Sequence, residues 1–176
     1  RTSRATSAHR IPSASATAFP AASTNTKVTF DSTAFDTDGF FANANDRLTI
    51  PAGLGGKYIV TGAISWTGVN ANSADSIGLI NKNGTTVGVI YREGIVFVSA
   101  GDSFHRTASI IQNLAAGDYI EMTANPGGAS VFDLRSDVSW TTLSIMRLDS
   151  GSSGQGPGYE YDYVQFTATV NITATT

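Results

Sequence analysis

Cysteine is absent from this sequence of 176 residues. Disulfides and thiolate metal sites are therefore excluded, and cysteine usage gives no information on the redox compartment. Charge is also scarce, because charged residues make up 14% of the chain and the formal net charge is −3 at pH 7. A slightly acidic chain with few cations is unsuited to nonspecific nucleic-acid binding, so we expect no nucleic-acid partner.

Long apolar runs are missing as well. No run approaches the roughly 18 residues that a transmembrane helix requires, so we expect no membrane insertion. The first ten residues, RTSRATSAHR, lack the apolar centre of a signal peptide and are interpreted as a solvated basic arm. With a mass of 18.4 kDa, the chain is long enough to bury a self-supporting core without disulfides.

Apolar residues alternate with period two through much of the chain, and helical spacing is almost absent. The alternation is clear in Tyr58–Trp66 and again in Tyr119–Ala124. It predicts half-buried strands. The expected core residues on their apolar faces are Val60, Ile64, Trp66, Ile120 and Met122. Eight or more short strands, with turn signals every 8 to 12 residues, predict an antiparallel sandwich, jelly roll or barrel.

Turn residues divide the strands. Pro51 cannot donate a ladder hydrogen bond and should end a strand over 47–50, and the glycines that follow it allow the chain to turn. Asn83-Gly84 is a signal for a two-residue type I′ hairpin. Ile95–Phe97 is predicted to be a separate short strand.

The last strand of the main body, predicted over Asp137–Leu148, is apolar on both faces. One face carries Trp140 and Met146, and the other carries Leu143 and Ile145. Either these are scattered surface residues, or a second subunit covers one face. Trp140 is expected in the core, where its replacement by alanine would cost about 3–5 kcal/mol.

Residues that could carry chemistry are few. His105 lies near Asp102 and Ser103, but no nucleophile-elbow pattern accompanies them, and the other histidine, His9, lies in the basic arm. Two histidines without cysteine provide little for a transition metal. We therefore expect no catalytic residues, no cofactor and no enzymatic activity.

The segment FDTDGF is the one metal candidate. Asp36 and Asp38 are spaced like the opening of a calcium loop, but the twelfth position is Arg47 and not the glutamate of an EF-hand. Two readings remain: a noncanonical calcium site that uses Asp36, Asp38 and Asp46, or an Asx-type turn with Phe35 and Phe40 in the core.

Composition divides the chain into four parts. Residues 1–26 are expected to be an arm that contains the first strand or strands, and residues 27–148 the main domain. Residues 149–162 are rich in glycine and serine, as is typical of a flexible linker. Residues 163–176 alternate regularly and predict a separate C-terminal strand or the start of a further module.

Five segments in order, FDTDGFF, RLTIPAGLGGKYIVTGAISW, INKNGT, LAAGDYIEM and SWTTLSIMRL, resemble the C1q/TNF-like domain over roughly residues 27–148. Several of them look like the versions found in bacteriophage fibre and minor tail proteins. The resemblance implies a ten-stranded jelly roll that trimerises about a threefold axis. It makes Leu143, Ile145 and Tyr58 candidates for the trimer interface.

The resemblance also implies a function. We expect a non-enzymatic virion structural protein, the trimeric head of a tail fibre or spike, that attaches to a glycan or protein on a host cell surface. Its partners would be two further copies, other virion proteins and the host receptor. The alternatives are a virion protein that only decorates or stabilises the particle, and a bacterial surface binding module.

Overall fold

A computed structural model describes residues 5–9, 17–18, 24–30, 32–68, 72–99, 101–127, 132–135 and 140–148. The linker expected at 149–162 and the strand expected at 163–176 lie outside the described residues, as do the arginines of the basic arm. The described strands are β1 Ala5–His9, β2 Thr17–Ala18, β3 Thr26–Lys27, β4 Ser32–Asp36, β5 Phe41–Ala42, β6 Arg47–Thr49, β7 Gly56–Gly68, β8 Asn72–Lys82, β9 Thr85–Phe97, β10 Ser103–Leu114, β11 Tyr119–Asn125, β12 Phe132–Leu134 and β13 Thr142–Leu148. A 3₁₀ turn covers Asn43–Asn45.

The strands form two antiparallel sheets, which confirms the all-β jelly roll. Sheet A has the main order β4-β1-β13-β7-β10, and sheet B has the order β5-β6-β11-β8-β9. The short strands β2 and β12 extend sheet A beside β7, and β3 pairs with β11 in sheet B. Strand β1, which falls within the segment 1–26 expected to contain the first strand or strands, lies between β13 and β4 in sheet A.

Strand β7 pairs with three other strands of sheet A. It pairs with β10 along one edge, and with β13 and then β12 along the other. Its core-facing row contains Gly62, where an added Cβ would lie 2.8 Å from Ile90 Cδ1 and 2.9 Å from Met122 Sδ. Glycine at this position therefore lets side chains of sheet B approach the backbone of sheet A.

The core lies between the two sheets. The structure places the five residues that the alternation assigned to it, Val60, Ile64, Trp66, Ile120 and Met122, in this layer with no exposed surface. Phe40, which follows the FDTDG segment, also lies in the core and packs edge-on against Tyr58 at 6.2 Å between ring centroids.

The residues expected at a trimer interface lie elsewhere than predicted. Leu143 and Tyr58 have no exposed surface and Ile145 is 2% exposed, so all three belong to the core of the single chain. The register explains the error, because Leu143 and Ile145 lie opposite Gly62 and Val60 on the inner face of β7. The Tyr58 hydroxyl donates to the carbonyl oxygen of Leu54 within the same chain.

Trp140 is the second correction. Strand β13 begins at Thr142 and not at residue 137, so Trp140 lies in the turn before the strand and is 38% exposed. The alternation was extended too far back along the chain. Trp140 therefore belongs to the surface and not to the core.

The turns are better predicted. Asn83 and Gly84 have φ values of 51° and 78° and join β8 to β9, as the type I′ turn requires. Gly53 has a φ of 76° in the corner after Pro51. Ile95–Phe97, however, is not a separate piece, because β9 continues from Thr85 to Phe97.

Asp118 organises the corner where β11 begins. Its carboxylate lies 2.8 Å from Lys82 Nζ and accepts hydrogen bonds from Asn83 Nδ2 at 2.7 Å and from the backbone N–H of Ala115 at 2.8 Å. The hydrogen bonds from Lys82, Asn83 and Ala115 lower the pKa of Asp118 to about 2. The hairpin turn at 83–84 is thereby joined to the turn at 115–118, which connects β10 of sheet A to β11 of sheet B.

We expect Asp118 to contribute to acid sensitivity. Its pKa is lower in the folded protein than the ordinary value of 3.8, so its contribution is present above pH 4 and is lost as the pH falls towards 2. Urea unfolding of the wild type and of Asp118→Asn from pH 6 to pH 2 measures this. The difference in unfolding free energy between the two proteins should shrink over that window, and a difference independent of pH would contradict the prediction.

Candidate functional site

The exposed face of sheet A carries a transverse row of apolar side chains. Ile111 on β10, Ile59 on β7 and Met146 on β13 are aligned in register, and we call them the apolar row. Ile111 and Met146 are each 41% exposed, and Ile59 is half-buried. Three adjacent apolar residues on the outside of a sheet form a patch that is suited to protein contact.

Small uncharged residues surround the apolar row. The next register row has Ser109, Thr61 and Ser144, and the hydroxyl oxygens of Thr61 and Ser109 are 2.7 Å apart. Phe35 on β4, 53% exposed, continues the apolar surface towards the far edge of the sheet. This part of the face therefore combines apolar groups with short polar ones and has no long charged side chain in these two rows.

A different cluster occupies the end of sheet A where β10 begins. Arg135 Cζ lies 4.3 Å from the centroid of the Trp140 ring, and the His105 ring meets Trp140 edge-on at 5.6 Å. Thr141, which is buried, holds this turn in place: its hydroxyl oxygen accepts from the Ser65 N–H and donates to the Arg135 carbonyl. We call Arg135, His105 and Trp140 the Trp140 cluster.

A groove of about 350 Å³ lies close by, between the edge strands β9 and β10. We call it the edge groove. It is lined by Glu93, Gly94, Ile95, Val96, Asp102, Ser103, Phe104 and Arg106. Arg106 Nε is 2.7 Å from Glu93 Oε1, and its Nη2 is 3.2 Å from Glu93 Oε2. The guanidinium also stacks on Phe104, 4.2 Å from the ring centroid. The groove thus combines a bidentate ion pair with an aromatic ring.

The sequence contained an unused signal for this pair. Glu93 and Arg106 stand at nearly equal distances on either side of the 98–102 loop, so a hairpin-like fold around that loop brings them together. Because a separate strand was predicted to begin at Ile95, the nearly equal spacing of Glu93 and Arg106 about the loop was not recognised. Neither Glu93 nor Arg106 was therefore named as a candidate.

The Asp36 carboxylate accepts hydrogen bonds from backbone N–H groups of the turn that follows it. Its Oδ1 accepts from the N–H groups of Asp38, Gly39 and Phe40, and its Oδ2 accepts from Phe41. Partial burial raises the pKa of Asp36, but the four backbone hydrogen bonds outweigh it, so the pKa lies below its ordinary value. These contacts match the Asx-type turn of the two readings, and Phe40 is in the core as that reading expected. Its placement of Phe35 in the core is wrong, because Phe35 is 53% exposed on the outer face of β4.

The other calcium candidates have separate contacts. Asp46 Oδ1 accepts from the Phe30 N–H at 2.8 Å, and Asp38 Oδ2 from the Thr37 hydroxyl at 3.1 Å. In the described part of the chain, no group of three or more histidine, aspartate or glutamate side chains is placed to hold a metal ion.

His105, Asp102 and Ser103 are near one another in sequence, but Asp102 and His105 contact different partners. Asp102 accepts from the backbone N–H groups of Val98 and Ser99, and these bonds, with Ser99 contributing most, lower its pKa. His105 Nε2 lies 3.2 Å from the Thr107 hydroxyl. Asp102 thus stabilises the loop before β10, and His105 contacts Thr107 and Trp140.

Two further findings bear on the class of protein. The described residues contain no helix with the length and apolar character needed to span a bilayer. No protein-family model matches the sequence, and no curated protein sequence matches it.

Solved structures do match the fold. A crystal structure of murine APRIL at pH 5.0 aligns with 84% of this chain and with all of its own chain, at 12% sequence identity and a TM-score of 0.55. Murine APRIL at pH 8.5 aligns over the same shares, at 15% identity and a TM-score of 0.54. At these identities the likeness establishes the fold alone: the chain has a TNF/C1q-like jelly roll.

Proposed function

We propose that this chain forms a homotrimeric, non-enzymatic head that attaches a virion to a host cell surface. The observation that carries the proposal is the apolar row on the exposed face of sheet A, in a chain with a TNF/C1q-like jelly roll. In this proposal two further copies of the chain cover that face.

The apolar row replaces the interface that the sequence predicted. Ile59, Ile111 and Met146 are accessible on the outside of the sheet, whereas Leu143 and Ile145 are not. An obligate interface of this kind buries more than about 2,000 Å² and is enriched in apolar residues at its centre. The apolar row, with Phe35 and the surrounding hydroxyl groups, supplies such a centre.

Attachment is assigned to the end of the molecule where β10 begins. Trp140, Arg135 and His105 are grouped there on the surface, and the edge groove is adjacent. Exposed aromatic and arginine side chains are enriched at binding hot spots. Three such ends on one rigid head would raise avidity by about 10²–10⁴ if they engage together.

The virion setting and the absence of enzymatic activity rest on other support. The segments FDTDGF, RLTIPAGLGGKYIVTG and NLAAGDYIEM resemble versions found in bacteriophage fibre and tail proteins. The described contacts of Asp102 and His105 are to the Val98 N–H and the Thr107 hydroxyl, which is not the arrangement of a nucleophile–base pair with Ser103.

Light scattering and a binding assay test the proposal together. The purified chain should have a mass about three times 18.4 kDa at micromolar concentration. The labelled trimer should bind a subset of a panel of bacterial cells and should compete with intact particles for them. A monomer at that concentration would contradict the assembly, and a trimer that copurifies with particles but binds no cell would favour the decoration role.

A further inference from the structure

We propose that the edge groove is a saccharide-binding site, selective for a neutral sugar that presents vicinal hydroxyl groups to the Glu93–Arg106 pair. The assignment rests on the proposed attachment function and names the class of ligand that the head would bind.

The guanidinium of Arg106 has donors to spare. Its Nε and Nη2 donate to Glu93 and its Nη1 donates to the His105 carbonyl, which accounts for three of the five N–H groups of an arginine. The other two have no hydrogen-bond partner among the residues that the structure describes. One is on Nη1 and one on Nη2, so both lie in the plane of the forked guanidinium, at the tip of a side chain that is 47% exposed.

Hydrogen-bond acceptors for a sugar lie beside the Arg106 guanidinium. Glu93 is 38% exposed and both of its carboxylate oxygens contact the guanidinium, and Asp102 lines another part of the groove. A sugar hydroxyl both donates and accepts, so one hydroxyl can accept from Arg106 while its neighbour donates to Glu93. A pair that is already hydrogen-bonded through two contacts holds both groups in position before a ligand arrives.

The formal charge of the groove lining favours a neutral ligand. The groove is lined by two carboxylates and one guanidinium, so its formal charge is −1 and an anionic sugar would be repelled. The remaining lining is apolar or small: Phe104 lies under the guanidinium, and Val96 is 70% exposed. Val96 is therefore the accessible apolar group that suits the C–H surface of a sugar ring, whereas Phe104 supports the guanidinium from below.

Size and access also fit. About 350 Å³ is at the lower end of the roughly 300–1,000 Å³ of small-ligand sites, which suits a mono- or disaccharide. At Gly94 no atom lies within 4 Å of the position that a Cβ would take, so this part of the lining is open. The groove also remains clear of the proposed subunit contact, because five residues of β10, about 17 Å, separate Arg106 from Ile111.

A glycan array followed by calorimetry tests the assignment. The wild-type protein should bind neutral saccharides in preference to sialylated ones. Arg106→Lys keeps the charge but loses the planar fork, and Glu93→Gln removes the carboxylate. Each should weaken binding of the best neutral saccharide by at least about tenfold. The control is Glu121→Gln, which removes the carboxylate of another ion pair, Lys27–Glu121, in sheet B and should leave binding unchanged.

The outcomes separate the two proposals. Circular dichroism and light scattering first establish that each variant is folded and has the wild-type mass. Unchanged binding by Arg106→Lys, or loss of binding in Trp140→Ala but not in the groove variants, would overturn the assignment. A trimer that binds cells but no saccharide would overturn it while leaving the attachment function in place. Saccharide binding through the groove by a monomer would support the assignment and refute the trimer.

Discussion

Replacing Trp66 by alanine should lower the free energy of unfolding by about 3–5 kcal/mol. Trp66 has no exposed surface and is among the largest fully buried side chains of the described residues. Its removal leaves a cavity between the sheets, where the neighbouring strands can close only in part. The expected loss is therefore near the upper end for a single core substitution.

A series of buried hydrogen bonds adds to that loss of stability. Trp66 Nε1 donates to the Tyr91 hydroxyl, which also lies 2.8 Å from Ser76 Oγ, and Ser76 donates to the carbonyl oxygen of Asn125. Burial raises the pKa of Tyr91 to about 12. Removing the indole takes one partner from a buried hydroxyl that water does not readily reach.

Denaturant unfolding at a fixed protein concentration measures the effect, because assembly changes the apparent stability. Trp140→Ala is the matched control, since it removes the same side chain from a site that is 38% exposed. It should cost less than about 2 kcal/mol. If the two tryptophan variants lose the same stability, the core has been assigned to the wrong place.

Placing a carboxylate in the apolar row should dissociate the proposed trimer. In Met146→Asp, each copy would bring a charge into an apolar contact, and burying an unpaired charge is strongly unfavourable. Met146 is 41% exposed in the single chain, so the fold should tolerate the change. Light scattering should show the mass falling from about three times 18.4 kDa to that of one chain.

Val89→Asp is the control for this variant. Val89 lies on β9 in sheet B and is 54% exposed, so the same substitution adds the same charge outside the apolar row. Its mass should remain that of the trimer, whereas Met146→Asp should lose about 10²–10⁴ of its avidity for cells. An unchanged mass in Met146→Asp would show that the copies meet elsewhere.

Local chemistry explains which parts of the fold were predictable. The hairpin at Asn83-Gly84 depends on two adjacent residues with positive φ, and Tyr58–Trp66 shows its alternation without reference to any neighbour. The predicted break in the strand before Ile95 was wrong because it, too, was judged from local sequence alone. A charged, glycine-containing stretch resembles a turn, but here Glu93 is held by Arg106 across the edge of the sandwich, and the strand continues.

By itself, the sequence determined the all-β class, the type I′ hairpin and the identity of most core residues in β7 and β11, because these follow from period-two alternation and turn chemistry. Only the tertiary structure decided which face of Thr142–Leu148 is inside, and it chose Leu143 and Ile145 over Met146. Alternation separates two faces but does not name the buried one. That choice depends on the strand opposite, where Gly62 and Val60 of β7 receive the two apolar side chains.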